Sequence, residues 1–299
     1  MKTQYVELVA AIATLGSLAA AAKALDKSQP AITKALKKVE SDLGVVLFHR
    51  VPSGIVPTLE GLPVIERCQR IRRDLEKLTE DIAQSRGTYV GSISVVVSPL
   101  AALKIIPPVM RRFQSRFPGI ELRITGGHAP DAFRSLRSGE ADFVIGPAPE
   151  DVSRTGLHVE HLVKTSITFL AGRQSPLKDL SRPEDLLGAR WAVIGPRSRP
   201  PLFQSYFRHH GLQGPDPAIR SDSILSILAI LECSDVLCSF PSLIADDLVA
   251  RWDVAALPVD LSMLTVDIAL TWTRERLLTP AALAFADFIR EEGRGLSQT

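Results

Sequence analysis

The sequence predicts an N-terminal all-α unit with a small strand pair, then a long linker helix, then a larger α/β region. Three observations carry this. Apolar residues recur at helical spacing through the first 43 positions. A heavily charged stretch with a single apolar stripe follows, and beyond Ser92 short apolar strands alternate with helical patterns. At roughly 100–200 residues per domain, 299 residues make two domains, or three at most. With 45% apolar and 23% charged residues, such a chain can bury its cores without disulfides or metals.

The first helix is marked by Tyr5, Val6, Leu8, Val9 and Ile12, and Gly16 ends it. Ser17 can cap the second, Leu18 to Leu25, whose alanines let a neighbouring helix approach closely. After the turn Asp26-Lys27, Ser28 can cap a third helix with Pro30 in its first turn, where a missing N–H costs nothing. Its expected apolar face is Ala31, Ile32, Ala35, Leu36, Val39 and Leu43, and Gly44 terminates it. Val45 to Pro57 reads as two short strands about a Pro-Ser-Gly turn. Helix, helix, turn, helix and strand pair together describe a winged helix-turn-helix over residues 1–57.

Residues 58–87 read as one linker helix. Ile65, Cys68, Ile71, Leu75, Leu78 and Ile82 recur by threes and fours, a coiled-coil-like stripe that must be covered. The same helix of a second subunit would cover it, making a homodimer; packing on its own domain is the alternative. Residues 88–299 form the α/β region. Expected strands are Ile93–Val97, Glu121–Thr125, Phe143–Ile145, Ser166–Ala171, Trp191–Ile194, Val236–Ser239 and Val266–Trp272, in mostly parallel sheets. The length suggests two lobes, about 88–162 with 267–299 and about 163–266.

Net charge is only +2, yet residues 1–57 carry seven Lys and Arg against four Asp and Glu, so the basic excess sits at the N-terminus. A recognition helix offers its N-terminal residues to base edges in the major groove. Ser28, Gln29, Pro30 and Thr33 are residue types suited to such contacts, and Gln29 can hold adenine in a bidentate one. Lys34, Lys37 and Lys38 can neutralise phosphates, while Arg50 and Ser53 in the wing can touch the adjacent backbone or minor groove. Taken singly, Lys37 or Lys38 reads better as a solvated charge.

The residues Tyr5, Leu8, Ile12, Gly16, Ser17, Ala21, Ala22, Leu25, Ser28, Gln29, Pro30, Ala31, Thr33 and Leu36, continued by Val39-Glu40, Leu43-Gly44 and Leu47 to Arg50, form a dense pattern. It resembles the signature of LysR-type transcriptional regulators. The resemblance extends along the chain through Ser98-Pro99, Ile106-Pro107-Pro108, Phe113 to Pro118 and Leu136 to Phe143. Within that family the chain is similar to the subgroup of toluenesulfonate-pathway and galactose-binding-protein regulators. The resemblance implies dimers or tetramers on double-stranded promoter DNA, with RNA polymerase as a further partner. It also implies two Rossmann-like lobes, as in type 2 periplasmic binding proteins, closing on an inducer, and no other cofactor. Pro63 departs from the family pattern: proline costs about 3 kcal/mol inside a helix but is tolerated in the first turn, so the linker helix should kink or start late.

In open α/β sheets ligands bind beyond the carboxyl ends of strands. Ser98, Gly146, Arg197, Ser198, Arg199 and Ser223 lie at such ends, and the family's effector positions map best onto Ser98, Ser198 or Arg199, and Ser223. Arg197 and Arg199 suit a small organic anion such as a carboxylate or sulfonate, because guanidinium forms paired hydrogen bonds with it. Ser98, Ser223 and Ser242 read equally as helix caps, and the arginines as solvated loop charges. His158 and His161 read as structural.

A hydrolase would need an activated nucleophile, but no Gly-x-Ser-x-Gly elbow, dinucleotide fingerprint or P-loop occurs, so no catalytic residues are expected. A secreted solute-binding protein would explain two lobes but not residues 1–86. Cys68, Cys233 and Cys238 lack the partners a metal site needs, and an odd, sparse set of thiols fits a reducing cytoplasm. The apolar stretch Val6 to Ala24 is broken by Glu7, Thr14, Gly16, Ser17 and Lys23, unlike an export signal, and no membrane span is expected.

Overall fold

The computed structural model describes residues 2–52, 54–149, 156–198, 201–275 and 277–297. By its internal contacts the chain divides into two compact units, residues 1–91 with 134–141, and residues 92–133 with 142–299.

The first unit opens with α1 (Thr3–Leu15), α2 (Leu18–Ala24) and α3 (Gln29–Leu43). Gly16 takes a left-handed conformation, φ 61°, and its N–H closes α1 onto the Ile12 carbonyl. Ser17 then caps α2 by accepting from the Ala20 N–H. The wing consists of β1 (Phe48–Val51) and β2 (Gly54–Pro57), paired antiparallel with Phe48 opposite Pro57. Two ties hold it to the helices. The Ile55 N–H donates to the Gly16 carbonyl at 3.0 Å, and the Leu47 N–H donates to Glu40 Oε1 at 2.8 Å.

The long helix α4 runs from Leu62 to Ser85. It starts four residues later than Thr58, so Pro63 falls in its first turn and interrupts no helical hydrogen bond. Thr58 shapes the entry: its hydroxyl donates to the Val46 carbonyl at 2.6 Å and accepts from the Gly61 N–H at 2.8 Å. A side chain at Gly61 would lie 2.4 Å from the Leu47 carbonyl oxygen, which is why glycine is needed at this approach. The apolar stripe divides. Ile65 and Cys68 are buried in the same core as Val9, Ile12, Ile32, Leu36 and Leu47, whereas Ile71, Leu75, Leu78 and Ile82 stay exposed. Covering the whole stripe with a second subunit is therefore corrected for its first two members. Segment 134–141 also belongs to this unit: Arg73 Nη1 donates to the Glu140 carbonyl at 2.9 Å.

The second unit is built on one nine-stranded sheet. Its strands are β3 (Gly91–Val97), β4 (Ile120–Gly126), β5 (Phe143–Pro147), β6 (Leu157–Gly172), β7 (Arg190–Ile194), β8 (Ile219–Ser221), β9 (Val236–Pro241), β10 (Val254–Ala256) and β11 (Thr265–Thr273). Their order is β4-β3-β5-β11-β6-β9-β7-β8, with β10 beside β6. The expected mostly parallel sheets are corrected to a mixed one. β3 with β5, and β7 with β8 and β9, are parallel, while β6 and β11 run antiparallel to each other and to their outer neighbours β9 and β5. These two long strands join the βα layers on either side. β6 spans 16 residues, not the six expected at Ser166–Ala171. Its first half is polar (His158, Glu160, His161, Lys164) and its register against β11 shifts between Ile268 and Ala269, so no clean period of two survives there.

The helices are α5 (Ile106–Arg116), α6 (Asp131–Arg137), α7 (Pro183–Leu187), α8 (Leu202–His209), α9 (Ile224–Cys233), α10 (Ser242–Arg251) and α11 (Pro280–Leu296). A turn of π-helix, Ala101–Ile105, leads into α5. Aromatic side chains fill the core on both sides of the β6–β11 pair. Phe113 meets Phe285 edge-on at 5.3 Å, and Trp191 stacks on Phe203 at 4.2 Å. Each such fully buried side chain stabilises by about 1.5–3 kcal/mol, with ~0.5–1.5 kcal/mol more from ring geometry. Among the described residues, no helix is long and apolar enough to cross a membrane.

His158 and His161 lie on β6. The His158 ring lies tilted against Trp272 with centroids 4.1 Å apart and hydrogen-bonds Glu160 at 3.1 Å, while Arg290 of α11 grips the same carboxylate through Nε and Nη2. Burial pushes the Glu160 carboxyl up, but the hydrogen bonds and charges of Arg290 and His158 pull harder, leaving it below its usual range. A carboxylate with a lowered folded pKa stabilises above its unfolded pKa, about 4.3, and that contribution fades as pH falls through the folded value. Glu160→Gln is thus expected to unfold at lower urea than the natural chain at pH 7. The gap should close below about pH 4, and a gap that persists unchanged in acid would contradict the ion-pair account.

Candidate DNA interface and effector cleft

The face of α3 follows from what it buries. Ile32, Leu36 and Val39 are buried, so Gln29, Lys34, Lys37 and Lys38 project outward, where all four are exposed. Ala31 and Leu43, expected on the apolar face, are exposed, because α3 meets its neighbours along one narrow stripe. Ser28 caps the helix, its hydroxyl accepting from the Ala31 N–H at 3.4 Å. Pro30 sits in the first turn. The Thr33 hydroxyl donates back to the Gln29 carbonyl at 3.0 Å, so it faces outward as an acceptor with a methyl beside it. In the wing, Arg50 is exposed on β1, and Ser53 lies outside the described residues.

Two cavities lined by described residues of the second unit bear on the candidate effector positions. One is a slot of about 80 Å³ lined by Ser98, Leu100, Pro147, Ile194, Phe240 and Ile268, among others. Ser98 is buried; its N–H donates to the Ile145 carbonyl at 2.8 Å, and its hydroxyl accepts from the Ala101 N–H at 3.4 Å. Gly146 packs against it: a Cβ there would lie 3.2 Å from that of Ser98. The other is an open cleft of about 540 Å³, in which Arg197, Arg220, His128, Asp131 and Asp222 supply the charged or ionisable side chains. It is formed at the carboxyl ends of β4, β7 and β8, by their last residues and the segments that follow, with Asp131 at the start of α6. The Gly195 N–H donates to the Ser221 carbonyl at 2.9 Å, and Arg220 Nη1 donates to the Pro196 carbonyl at 3.3 Å. His128 lines both cavities.

The sequence candidates thus separate. Ser98 lines the slot with Gly146 packed against it but not among the described lining residues, and Arg197 lies in the cleft. Ser198 is exposed in the turn after Arg197, and Ser223 caps α9 through the Ser226 N–H at 3.2 Å; neither is among the described lining residues. Arg199 lies outside the described residues. Ser242 accepts from the Ser166 hydroxyl at 2.9 Å and is not among the described lining residues of either cavity. His128, Asp131 and Arg220 were missed. The rule that singled out the ends of the other strands applies equally to β4, whose Gly126-Gly127-His128 end carries the signal. Among the described residues, no group of three or more His, Cys, Asp and Glu could hold a metal ion. Cys238 is fully buried, which pushes its thiol up to about 12.

A winged helix-turn-helix joined through a long helix to an α/β unit with a cleft at its strand ends defines a DNA-binding transcription regulator with an effector domain. The chain belongs to the LysR family: residues 3–62 match the model for the bacterial regulatory helix-turn-helix protein of the lysR family, and residues 86–294 match the LysR substrate binding domain. Relatives include the HTH-type transcriptional regulator GalR of Pseudomonas putida, 30% identical over 272 residues, covering 88% of this chain and 67% of the relative. The regulator GbpR of Azospirillum brasilense is 26% identical over 94% of this chain and 84% of its own. CbbR of Xanthobacter flavus is 31% identical over 96% and 86%. In fold the chain is similar to CbnR, a LysR family transcriptional regulator, with a TM-score of 0.68 at 23% identity over 98% of this chain and 99% of that one. It is also similar to full-length OxyR of Pseudomonas aeruginosa, with a TM-score of 0.71 at 17% identity over 100% and 97%.

The Ser28 cap has a measurable weight. Ser28→Ala is expected to destabilise the chain in urea by about 1 kcal/mol, as loss of a serine cap does. An unchanged midpoint would show that the cap bears no load.

Proposed function

We propose that the chain works as a homodimer that reads promoter DNA through Ser28, Gln29, Pro30, Thr33, Lys34 and Lys37 on α3, with Arg50 of the wing on the adjacent backbone. A small organic anion acts as the inducer in the cleft of the α/β unit. One observation carries the DNA reading: α3 buries Ile32, Leu36 and Val39 and turns Gln29, Lys34, Lys37 and Lys38 to the outside. Gln29 then discriminates bases, while the lysines neutralise phosphates and make binding salt-dependent. A CbnR structure with its target DNA, at a TM-score of 0.67 and 24% identity, is similar in fold over 98% of this chain and all of that one.

Dimerisation rests on the exposed part of the α4 stripe, Ile71, Leu75, Leu78 and Ile82, which a second α4 would cover. A homotetramer built from two such dimers extends the same reading. For the inducer, Arg197 and Arg220 line the cleft, and guanidinium is the side chain best matched to carboxylate or sulfonate. Action on promoter DNA places the protein in the cytoplasm, with RNA polymerase as its partner at the promoter.

Binding-site selection from randomised duplexes tests the interface. Gln29→Ala is expected to relax preference at one position of the selected site. Lys34→Ala is expected to weaken all sequences alike and to make the salt slope shallower by about two, roughly one per subunit of the dimer. Identical selectivity and slope in both variants would remove α3 from the interface. Sedimentation tests the dimer: Leu78→Glu is expected to shift the chain from dimer to monomer at micromolar concentration, and an unshifted dimer would contradict the α4 assignment.

A further inference from the structure

The slot and the cleft differ in what they can hold, and they adjoin. Ile194 ends β7 and lines the slot; Gly195 follows it and lines the cleft, and His128 borders both. A single small molecule can therefore place one end in each.

The charges of the cleft do not suit a bare anion. Arg197 and Arg220 attract one, but Asp131 and Asp222 line the same space and repel it. A ligand that carries hydrogen-bond donors near its acid uses both signs, because a carboxylate side chain accepts from hydroxyl or ammonium groups. The glycines Gly126, Gly127 and Gly195 place main chain along the wall, leaving room for polar groups. The slot sets the other end. Leu100, Pro147, Ile194, Phe240, Val266 and Ile268 make it largely apolar. Its volume, about 80 Å³, is little more than half the ~150 Å³ cavity that admits benzene. It takes a short aliphatic group and rejects a ring.

We propose that the effector is a short-chain acid with a hydrogen-bond donor beside its carboxylate, a 2-hydroxy or 2-amino acid, whose aliphatic end enters the slot. Its carboxylate meets Arg197 and Arg220, and its donor meets Asp222 or Asp131. This rests on the reading that the α/β unit holds an anionic effector.

Calorimetry on the full chain with 2-hydroxyisovalerate, valine, isovalerate and benzoate tests the class. The hydroxy acid or the amino acid is expected to bind at least about tenfold tighter than isovalerate, which lacks the donor, and benzoate to bind worse than either. Which of the two wins tells hydroxyl from ammonium. Asp222→Ala and Asp131→Ala together are expected to abolish the preference, and Arg197→Ala to weaken every acid. Isovalerate binding as tightly as its donor-bearing counterparts, benzoate binding best, or no heat from the hydroxy or amino acid would each overturn the proposal. If a different acid still binds and depends on Arg197, the effector cleft survives and only the ligand class falls. If no acid gives heat, and Arg197→Ala with Arg220→Ala leaves promoter binding and its regulation unchanged, the effector reading itself falls.

Discussion

The packing of Ile32, Leu36 and Val39 into the first unit is the constraint on which DNA reading depends. A helix that buries one narrow stripe has no freedom in what it presents on the other side. Gln29 and the lysines are held outward by that packing alone. The wing is set by the same core: Glu40, one turn beyond Leu36, accepts from the Leu47 and Phe48 N–H groups, and Gly16 accepts from Ile55. α3, the wing and the first turns of α4 therefore move as one body, because Ile65 and Cys68 sit in the core that holds α3.

In the second unit the corresponding constraint is the β6–β11 pair. It runs from Leu157 opposite Thr273 to Ser166 opposite Thr265, with β5 on one side and β9 on the other. Parallel strands outside this pair must return through helices, so their carboxyl ends open onto turns. Those turns, after β4 and β7, the last residues of β8 with Asp222, and the first residue of α6 supply the side chains of the cleft. Its chemistry comes from strand ends and the segments beyond them, while its position comes from the sheet.

Much of this was legible in the sequence where local chemistry decides. Gly16, Ser17, Ser28 and Gly44 mark helix ends by capping, a short-range effect, and all four act as caps in the structure. Pro63 signalled either a kink or a late start of α4, and the structure takes the late start. What escaped depends on partners distant in the chain. The first half of β6 mixes buried, half-buried and exposed positions out of alternation and its register shifts, so its pattern carries no period, and β8 and β10, at three residues each, are too short to show one. The division of the α4 stripe is partly one of phase: six residues separate Ile65 from Ile71, about 120° around the helix, and Ile65 turns toward the core it shares with Val9 and Ile12 of α1. His128 and Arg220 reach the cleft from the ends of two strands whose sequence separation hides their proximity.

The most direct measurement of the central claim is the salt dependence of duplex DNA binding by the full chain, followed by fluorescence anisotropy. Lys34, Lys37, Lys38 and Arg50 offer four cations per subunit on the exposed face of α3 and the wing. Two subunits engaging all of them release counterions in proportion, giving a slope of log K against log salt of roughly −7. A steep slope near that value is the expected result. A slope near zero, or no binding even at low ionic strength, would contradict the assignment of α3 to the DNA groove.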